Sequence, residues 1–240
     1  MNTKLVSISL ILLITILTVI MILKLREQDL PTNIEVSAPT AINHSEDTRE
    51  EMPDRATYQI KFVATWDQAS HPDNYPNGAH FSPLVAYTHS PNPDSAIFSL
   101  DALASPGIKQ MAETGITDLL ATEIQSLIDN QLAHQYRQSE RLESPGEITL
   151  QIETTKTLSH LTLVSMIAPS PDWFVSIDLN LIENNQWIDD QKIELASLDA
   201  GTDSGGALLS ENQPSTPQEV IRQTSEGFQN MGYIEISRQQ

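Results

Sequence analysis

Hydrophobic and polar residues alternate in several short stretches of the chain, and a period of two is typical of a β-strand with one buried face. The clearest stretch runs from Tyr58 to Trp66. The other predicted strands are Ser82–Thr88, a strand around Ile148–Ile152, Leu161–Ile167, Trp173–Leu181, Lys192–Leu198 and Tyr233–Ser237. Turn residues separate these strands, and most follow one another without a helix between them. The pattern predicts a mainly β fold, an antiparallel β-sandwich.

A helical period interrupts the strands between Pro106 and Leu142, where apolar residues recur every three or four positions. Ser105 and Pro106 form a typical helix start, and Gly115 breaks the pattern once. We therefore expect an inserted helical segment, of two helices, at one end of the sandwich. The same pattern predicts a solvated helical stretch around Asp129–Glu143.

The N-terminal segment is apolar in a different way. From Leu5 to Leu23 no residue is charged, and basic residues flank this stretch at Lys4, Lys24 and Arg26. Nineteen helical residues span about 28 Å, close to the thickness of the hydrocarbon core of a bilayer. The stretch lacks a pair of small residues for a signal peptidase. Residues 1–26 are therefore predicted to be an uncleaved signal-anchor transmembrane helix, and the alternative is a cleaved segment with a secreted product.

Residues 27–55 are rich in Glu, Asp, Pro, Thr and Ser and show no sustained periodicity. Such a segment cannot bury enough apolar surface to offset its ordering entropy. We interpret it as a disordered acidic tether, which leaves residues 56–240 as the folded domain.

Composition excludes several classes of function. The chain has 13 Lys and Arg against 32 Asp and Glu, a formal net charge of −19. Nucleic acids bind to basic surfaces, so no nucleic-acid partner is expected. The chain contains no cysteine, which excludes disulfides, thiolate metal sites and cysteine nucleophiles.

Three aspartates occupy loops at the ends of predicted strands. Asp172 opens one strand, and Asp199 and Asp203 belong to a glycine-containing loop that follows another. If these strand ends lie at the same edge of the sandwich, the three carboxylates meet and repel one another unless a cation binds. Oxygen ligands on flexible loops suit calcium better than magnesium. The alternative, which spacing alone favours, is that each aspartate only caps a turn.

A family resemblance changes this balance. Four segments occur in the order found in spondin domains of the F-spondin amino-terminal type. They are residues 58–66 with His71-Pro72, residues 104–109, the Ser-Pro-Asp-Trp segment at 170–173 and the Asp-Ala-Gly-Thr-Asp-Ser-Gly segment at 199–205. The chain is therefore identified as resembling that family over roughly residues 56–222.

The resemblance implies a β-sandwich similar to those of calcium-dependent membrane-targeting modules, with one bound Ca²⁺. In the family the ion is held by the aspartates that correspond here to Asp172, Asp199 and Asp203. The animal members are extracellular matrix and adhesion proteins that bind other proteins or surface polysaccharides. This chain differs from many of them in lacking cysteine and in its predicted membrane anchor, which suggests a bacterial envelope protein.

We therefore expect a calcium-binding adhesion module, one that binds a protein or polysaccharide and is tethered to the cell envelope. The domain would lie outside the cytoplasm, in the periplasm or on the cell surface. The membrane would be contacted through the N-terminal helix only. One alternative is a module whose calcium loops bind the membrane surface, although the loops near the aspartates are acidic or neutral.

An enzyme is not expected. A hydrolase would need a base beside Ser204, and a zinc site could be built from His71, His80 and His89. The nine-residue spacing of these histidines fits no helix face, so packing in loops is the simpler interpretation. Glu113 and Asp178 are interpreted as solvated positions. The tryptophans Trp66, Trp173 and Trp187 are interpreted as core residues.

Overall fold

The computed structural model describes residues 51–73, 75–225 and 228–239. These residues form antiparallel sheets with two helices, which confirms the predicted mainly β class. The predicted transmembrane helix in residues 1–26, and the predicted tether as far as residue 50, lie outside the described residues. Within the described part of the chain, no helix has the length and apolar character needed to cross a membrane.

The described elements follow in chain order. The helices are α1 (Pro106–Thr114) and α2 (Asp118–Asp129). The strands are β1 (Arg55–Ala64), β2 (His80–Phe81), β3 (Val85–His89), β4 (Ala133–Gln138), β5 (Leu142–Glu143), β6 (Gly146–Thr155), β7 (His160–Ala168), β8 (Trp173–Asn180), β9 (Ile182–Glu183), β10 (Gln186–Trp187), β11 (Asp190–Glu194), β12 (Ala196–Asp199), β13 (Arg222–Gln223) and β14 (Gly232–Gln239).

Two main sheets form the sandwich. The smaller sheet has the strand order β11-β14-β1-β6, and β1 lies at its centre with Ile60 opposite Ile236 on one side and Leu150 on the other. The larger sheet has the order β13-β12-β8-β7-β2-β5, with β3 pairing to β7 and β4 pairing to β3. A short β9–β10 hairpin forms a separate sheet.

The main core lies between the two sheets. It collects the inward-facing residues of β1, such as Tyr58, Ile60 and Phe62, and alternate residues of the larger sheet, such as Leu163 and Val175. All five side chains are buried. The alternation along β1, with every second residue buried, is the period of two that the sequence shows.

A second core covers the opposite face of the larger sheet. Ile108 and Met111 of α1 and Leu120 and Ile124 of α2 pack on residues such as Val164 of β7. Both faces of this sheet are therefore buried. This explains why β3 and β7 are continuously buried instead of alternating.

The helical insertion is confirmed in its first part and wrong in its second. Ser105 caps α1 by accepting a hydrogen bond from the backbone N–H of Ile108, and Gly115 ends it in the left-handed conformation. However, α2 ends at Asp129, and most of the predicted helical stretch Asp129–Glu143 forms β4 and β5. Gln131, two residues after the end of α2, adopts φ 60°, a conformation that glycine or asparagine usually adopts, so its residue type gave no stop signal.

One other predicted strand differs from the structure. The predicted strand Lys192–Leu198 is divided between the sheets, because β11 pairs with β14 and β12 pairs with β8. The end of the predicted tether also contacts the domain, since the carbonyl of Pro53 accepts a hydrogen bond from the indole of Trp187 at 2.8 Å. Trp66, Trp173 and Trp187 are all buried, as interpreted from the sequence.

Candidate metal centre

The pairing of β8 with β12 brings the three predicted aspartates to one edge of the larger sheet. Asp199, the last residue of β12, is paired with Trp173, the first residue of β8. Asp172 immediately precedes Trp173, and its carbonyl accepts a hydrogen bond from the backbone of Ala200 at 3.1 Å. The two strand ends therefore lie at the same edge, and the loop that contains Asp203 starts there.

The Asp172 carboxylate lies beneath this loop and is completely buried. Its Oδ2 accepts hydrogen bonds from the backbone N–H of Thr202 at 2.7 Å and of Asp203 at 2.9 Å. The hydroxyl of Thr202 donates a third, at 3.2 Å. This oxygen thus fixes the conformation of the loop, and the residue does more than cap a turn in its own segment.

The other oxygen of Asp172 has no partner. Within the described residues, Oδ1 is buried and accepts no hydrogen bond. Burial, together with the nearby negative charge of Asp199, raises the pKa of Asp172 to about 6, against the lowering effect of the bonds from the loop. Native proteins rarely leave such an atom unsatisfied, so a buried carboxylate oxygen of this kind is suited to bind a cation.

Asp203 is also almost fully buried, with 3% of its surface exposed. Its Oδ1 accepts from the N–H of Gly205 at 2.7 Å, and its Oδ2 accepts from the N–H of Gln213 at 2.6 Å. Because each oxygen accepts only one of these bonds, a second lone pair on each oxygen remains available to an ion.

Asp199 is held more loosely. Its Oδ1 accepts from the N–H of Gly201 at 2.8 Å. Its Oδ2 lies 3.5 Å from the guanidinium of Arg222, a half-exposed side chain on the neighbouring strand β13 that also pairs with Glu219 at 2.5 Å. Arg222 thus places a fixed positive charge at the outer oxygen of this aspartate.

Gly201 makes the loop possible. It has φ 71°, and a Cβ at this position would lie 2.4 Å from the carbonyl oxygen of Glu219. Both conditions require glycine. The loop can therefore turn sharply after Asp199 and bring the N–H groups of residues 202 and 203 over Asp172.

The three aspartates are neighbours, but they do not form the tightest group of possible metal ligands. Over the described ranges, ligand atoms of three residues lie within 4.8 Å of one another at His89, His160 and Asp178, and not at the aspartate loops. In the conformation of the structure, backbone N–H groups hold the carboxylates of Asp172 and Asp203, as described above.

Sequence reasoning missed three contributors to this edge. Arg222, Thr202 and Gln213 each contact one of the aspartates. Thr202 lies between two of the predicted ligands, which was a usable signal. Arg222 and Gln213 reach the site only because β13 and the returning loop fold back onto it.

The alternative enzymatic sites are not assembled. The hydroxyl of Ser204 donates to the carbonyl of Gln213 at 3.0 Å, and no histidine in the described ranges is hydrogen-bonded to it. His71 contacts Ser70 and the carbonyl of Gln229, whereas His80 contacts the carbonyl of Gly78. His89 lies at the end of β3, not in a loop, and belongs to a different cluster.

The domain is an antiparallel β-sandwich of two sheets. Its acidic loops lie at one edge, and a layer of two helices covers the larger sheet. The family model described as Spondin_N matches residues 56–232, most of the chain. The chain belongs to the spondin N-terminal domain family.

Relatives with this domain are found among animal proteins. Spondin-1 of Homo sapiens and of Bos taurus are each 30% identical over 175 residues, which is 70% of this chain and 21% of the relative. Spondin-2 of Homo sapiens is 31% identical over 172 residues, which is 69% of this chain and 51% of the relative. The similarity thus covers about a fifth of Spondin-1 and about half of Spondin-2.

Proposed function

We propose that the domain is a calcium-stabilised binding module for adhesion, held at the cell envelope and presented outside the cytoplasm. The proposed ligands of the ion are Asp172, Asp199 and Asp203. The observation that carries the proposal is the buried, unpartnered Oδ1 of Asp172 at the point where the other two aspartates arrive. A bound Ca²⁺ would satisfy this oxygen and offset the repulsion among the carboxylates.

The role of the ion in this proposal is structural. Asp172 already organises the loop through the N–H groups of Thr202 and Asp203, and an ion at the same carboxylate would connect β8 to β12 through one more shared centre. Calcium sites in extracellular modules commonly have dissociation constants of about 10⁻⁴–10⁻³ M, and we expect an affinity in that range.

Exposed apolar side chains beside the loop support a binding role. Leu103 and Val220 form an isolated β-bridge and are 61% and 39% exposed, and Val220 follows Glu219, whose carbonyl lies against Gly201. Apolar contacts next to a rigid polar loop suit a protein or polysaccharide partner, the class of partner that the family resemblance implies.

The attachment to the envelope is the remaining part of the proposal. It rests on the uncharged stretch from Leu5 to Leu23 and on the acidic composition of the segment that follows. The predicted departures from animal spondins, a cysteine-free chain with its own anchor, support a bacterial envelope location.

The calcium site is tested by isothermal titration of the full chain in detergent with Ca²⁺. We expect one site, lost in D172N, D199N and D203N and retained in D190N, a matched change of an exposed aspartate on the smaller sheet. Removal of calcium by a chelator should also lower the melting temperature of the wild type but not that of D172N. Equal titrations for the wild type and D172N would contradict the site.

A second candidate function is calcium-dependent docking to a lipid surface. One observation favours it: Leu209, in the loop that follows Asp203, is 74% exposed. The full chain in one vesicle population should then capture a second population of anionic vesicles when calcium is added. No capture, together with calcium-dependent binding to immobilised polysaccharide or protein, would favour the adhesion module.

A further inference from the structure

A second group of metal ligands lies at the other end of strand β8. His89 and His160 face each other across the β3–β7 pair, and Asp178 lies opposite Thr162 across the β7–β8 pair. Residues 160, 162 and 164 of β7 share a face, and Val164 packs on the helices. His160, Thr162 and their cross-strand partners His89 and Asp178 therefore lie on the side of the sheet that the helices cover.

The distances among the three ligand atoms are close to those around a small cation. Asp178 Oδ1 lies 3.8 Å from His89 Nε2 and 3.6 Å from His160 Nδ1, and all three atoms lie within 4.8 Å of one another. Zinc–ligand bonds of about 2.0–2.1 Å place tetrahedral ligands about 3.4 Å apart and octahedral neighbours about 2.9 Å apart. The observed spacing is nearer to the tetrahedral value.

The hydrogen bonds of His89 leave its Nε2 nitrogen available to bind a metal. Nδ1 lies 2.8 Å from the carbonyl oxygen of Ser90, which can only accept, so Nδ1 carries the proton. Nε2 therefore has its lone pair directed toward Thr162 and Asp178. A ring whose second nitrogen donates to a carbonyl is the usual arrangement of a metal-binding histidine.

The surroundings of the three residues also suit an ion that arrives from solvent. His89 is buried and stacks on Tyr87 with ring centroids 4.5 Å apart, which fixes its orientation. The side chain of His160 is 23% exposed and that of Asp178 is 52% exposed, so the group opens to water on the Asp178 side. Burial lowers the pKa of His89, which favours the neutral imidazole that metals bind.

The hydroxyl of Thr162 lies among the ligand atoms, 2.8 Å from Nε2 of His89 and 3.2 Å from Oδ1 of Asp178. Both of these atoms accept, so the single hydroxyl hydrogen of Thr162 is donated to one of them at a time in the metal-free chain. An ion would replace this hydrogen bond with direct coordination of His89 and Asp178.

We propose that His89, His160 and Asp178 form a zinc site of two imidazoles and one carboxylate, with the remaining coordination position open to water. The site is separate from the proposed calcium centre, because Asp172 and Asp178 are six positions apart along an extended strand, which corresponds to about 20 Å. Imidazole ligands favour zinc over calcium, which binds oxygen atoms.

The proposal is tested by metal analysis and competition titration of the full chain in detergent with Zn²⁺, in the presence of millimolar Ca²⁺ to fill oxygen-only sites. The variants are H160Q and D178N, whose side chains reach solvent. H80Q, a histidine outside the cluster, is the matched control. Urea denaturation of each variant establishes that it is folded.

We expect the wild type and H80Q to bind one more zinc ion per chain than H160Q and D178N, or to bind it at least about tenfold more tightly. Co²⁺ in place of zinc should give the intense visible absorption of a four-coordinate site in the wild type and H80Q, but not in H160Q or D178N. Equal zinc affinity in all four proteins, no zinc uptake by any of them, or wild-type affinity in either H160Q or D178N would overturn the proposal. None of these outcomes depends on the calcium centre.

Discussion

Strand β8 begins at one candidate metal centre and ends at another, and the two ends are constructed differently. At its start, Asp172 is completely buried and accepts three hydrogen bonds from a loop, two of them from the backbone. At its end, Asp178 is half-exposed, and its neighbours are side chains on adjacent strands.

This difference separates two ways to place ligands. The loop centre depends on backbone N–H groups, so its carboxylates are also structural parts of the fold. The strand centre depends on cross-strand neighbours of a sheet that is already rigid, so its exposed members can change at little cost in stability. Substitutions at the start of β8 should therefore unfold the protein more readily than substitutions at its end.

The largest effect is expected for D172A. Alanine leaves the N–H groups of Thr202 and Asp203 buried without an acceptor, so the free energy of unfolding should fall by about 3–4 kcal/mol. The paired substitution D178A, at the exposed end, should cost less than about 1 kcal/mol. Urea denaturation of the full chain in chelator measures both, and equal losses would contradict the comparison.

G201A should be the next most damaging change. The added Cβ would meet the carbonyl oxygen of Glu219 at 2.4 Å, in a backbone conformation with φ 71° that alanine disfavours. We expect a loss of about 2–3 kcal/mol by thermal or urea denaturation. Gly206 provides the control, because nothing lies within 4 Å of a Cβ there. If G206A is as destabilising as G201A, close packing of the loop is not the cause.

The substitution T162V tests the candidate zinc site of His89, His160 and Asp178. Valine has nearly the shape of threonine but removes the hydroxyl that donates to His89 or Asp178, so the free energy of unfolding should fall by about 1 kcal/mol. Thr157, an exposed threonine in the turn before β7, serves as the control, and T157V should change stability by less than about 0.5 kcal/mol. A loss as large as that of D172A would show that both ends of β8 are equally structural.

The smallest effect is expected for R222Q. Because Arg222 is half-exposed, the loss of its pairs with Asp199 and Glu219 should cost about 0.5 kcal/mol of stability. Calcium affinity should instead rise a few-fold, since a positive charge that competes for Asp199 is removed. R238Q, which removes an arginine paired with Asp189 on the smaller sheet, should leave calcium affinity unchanged. Weaker calcium binding in R222Q would contradict the assignment of Asp199 as a ligand.

Much of the fold could be predicted from local pattern. The alternation along Tyr58–Trp66 and the N-cap at Ser105 are properties of neighbouring residues, and both are confirmed. The end of α2 could not be predicted, because Gln131 adopts φ 60° without a glycine to indicate it. The stretch after it forms β4 through pairing with β3, a partner more than forty residues earlier in the chain.

The same distinction between local features and long-range contacts applies to the candidate sites. The sequence by itself determined that Asp172, Asp199 and Asp203 flank strand ends, because their motifs and the turn-forming glycine are local features. Only the tertiary structure decided that Asp172 would be buried with one oxygen unpaired, that Arg222 would reach Asp199, and that His89, His160 and Asp178 would meet. Burial and cross-strand proximity depend on sheet register, which is set by packing between residues far apart in the chain.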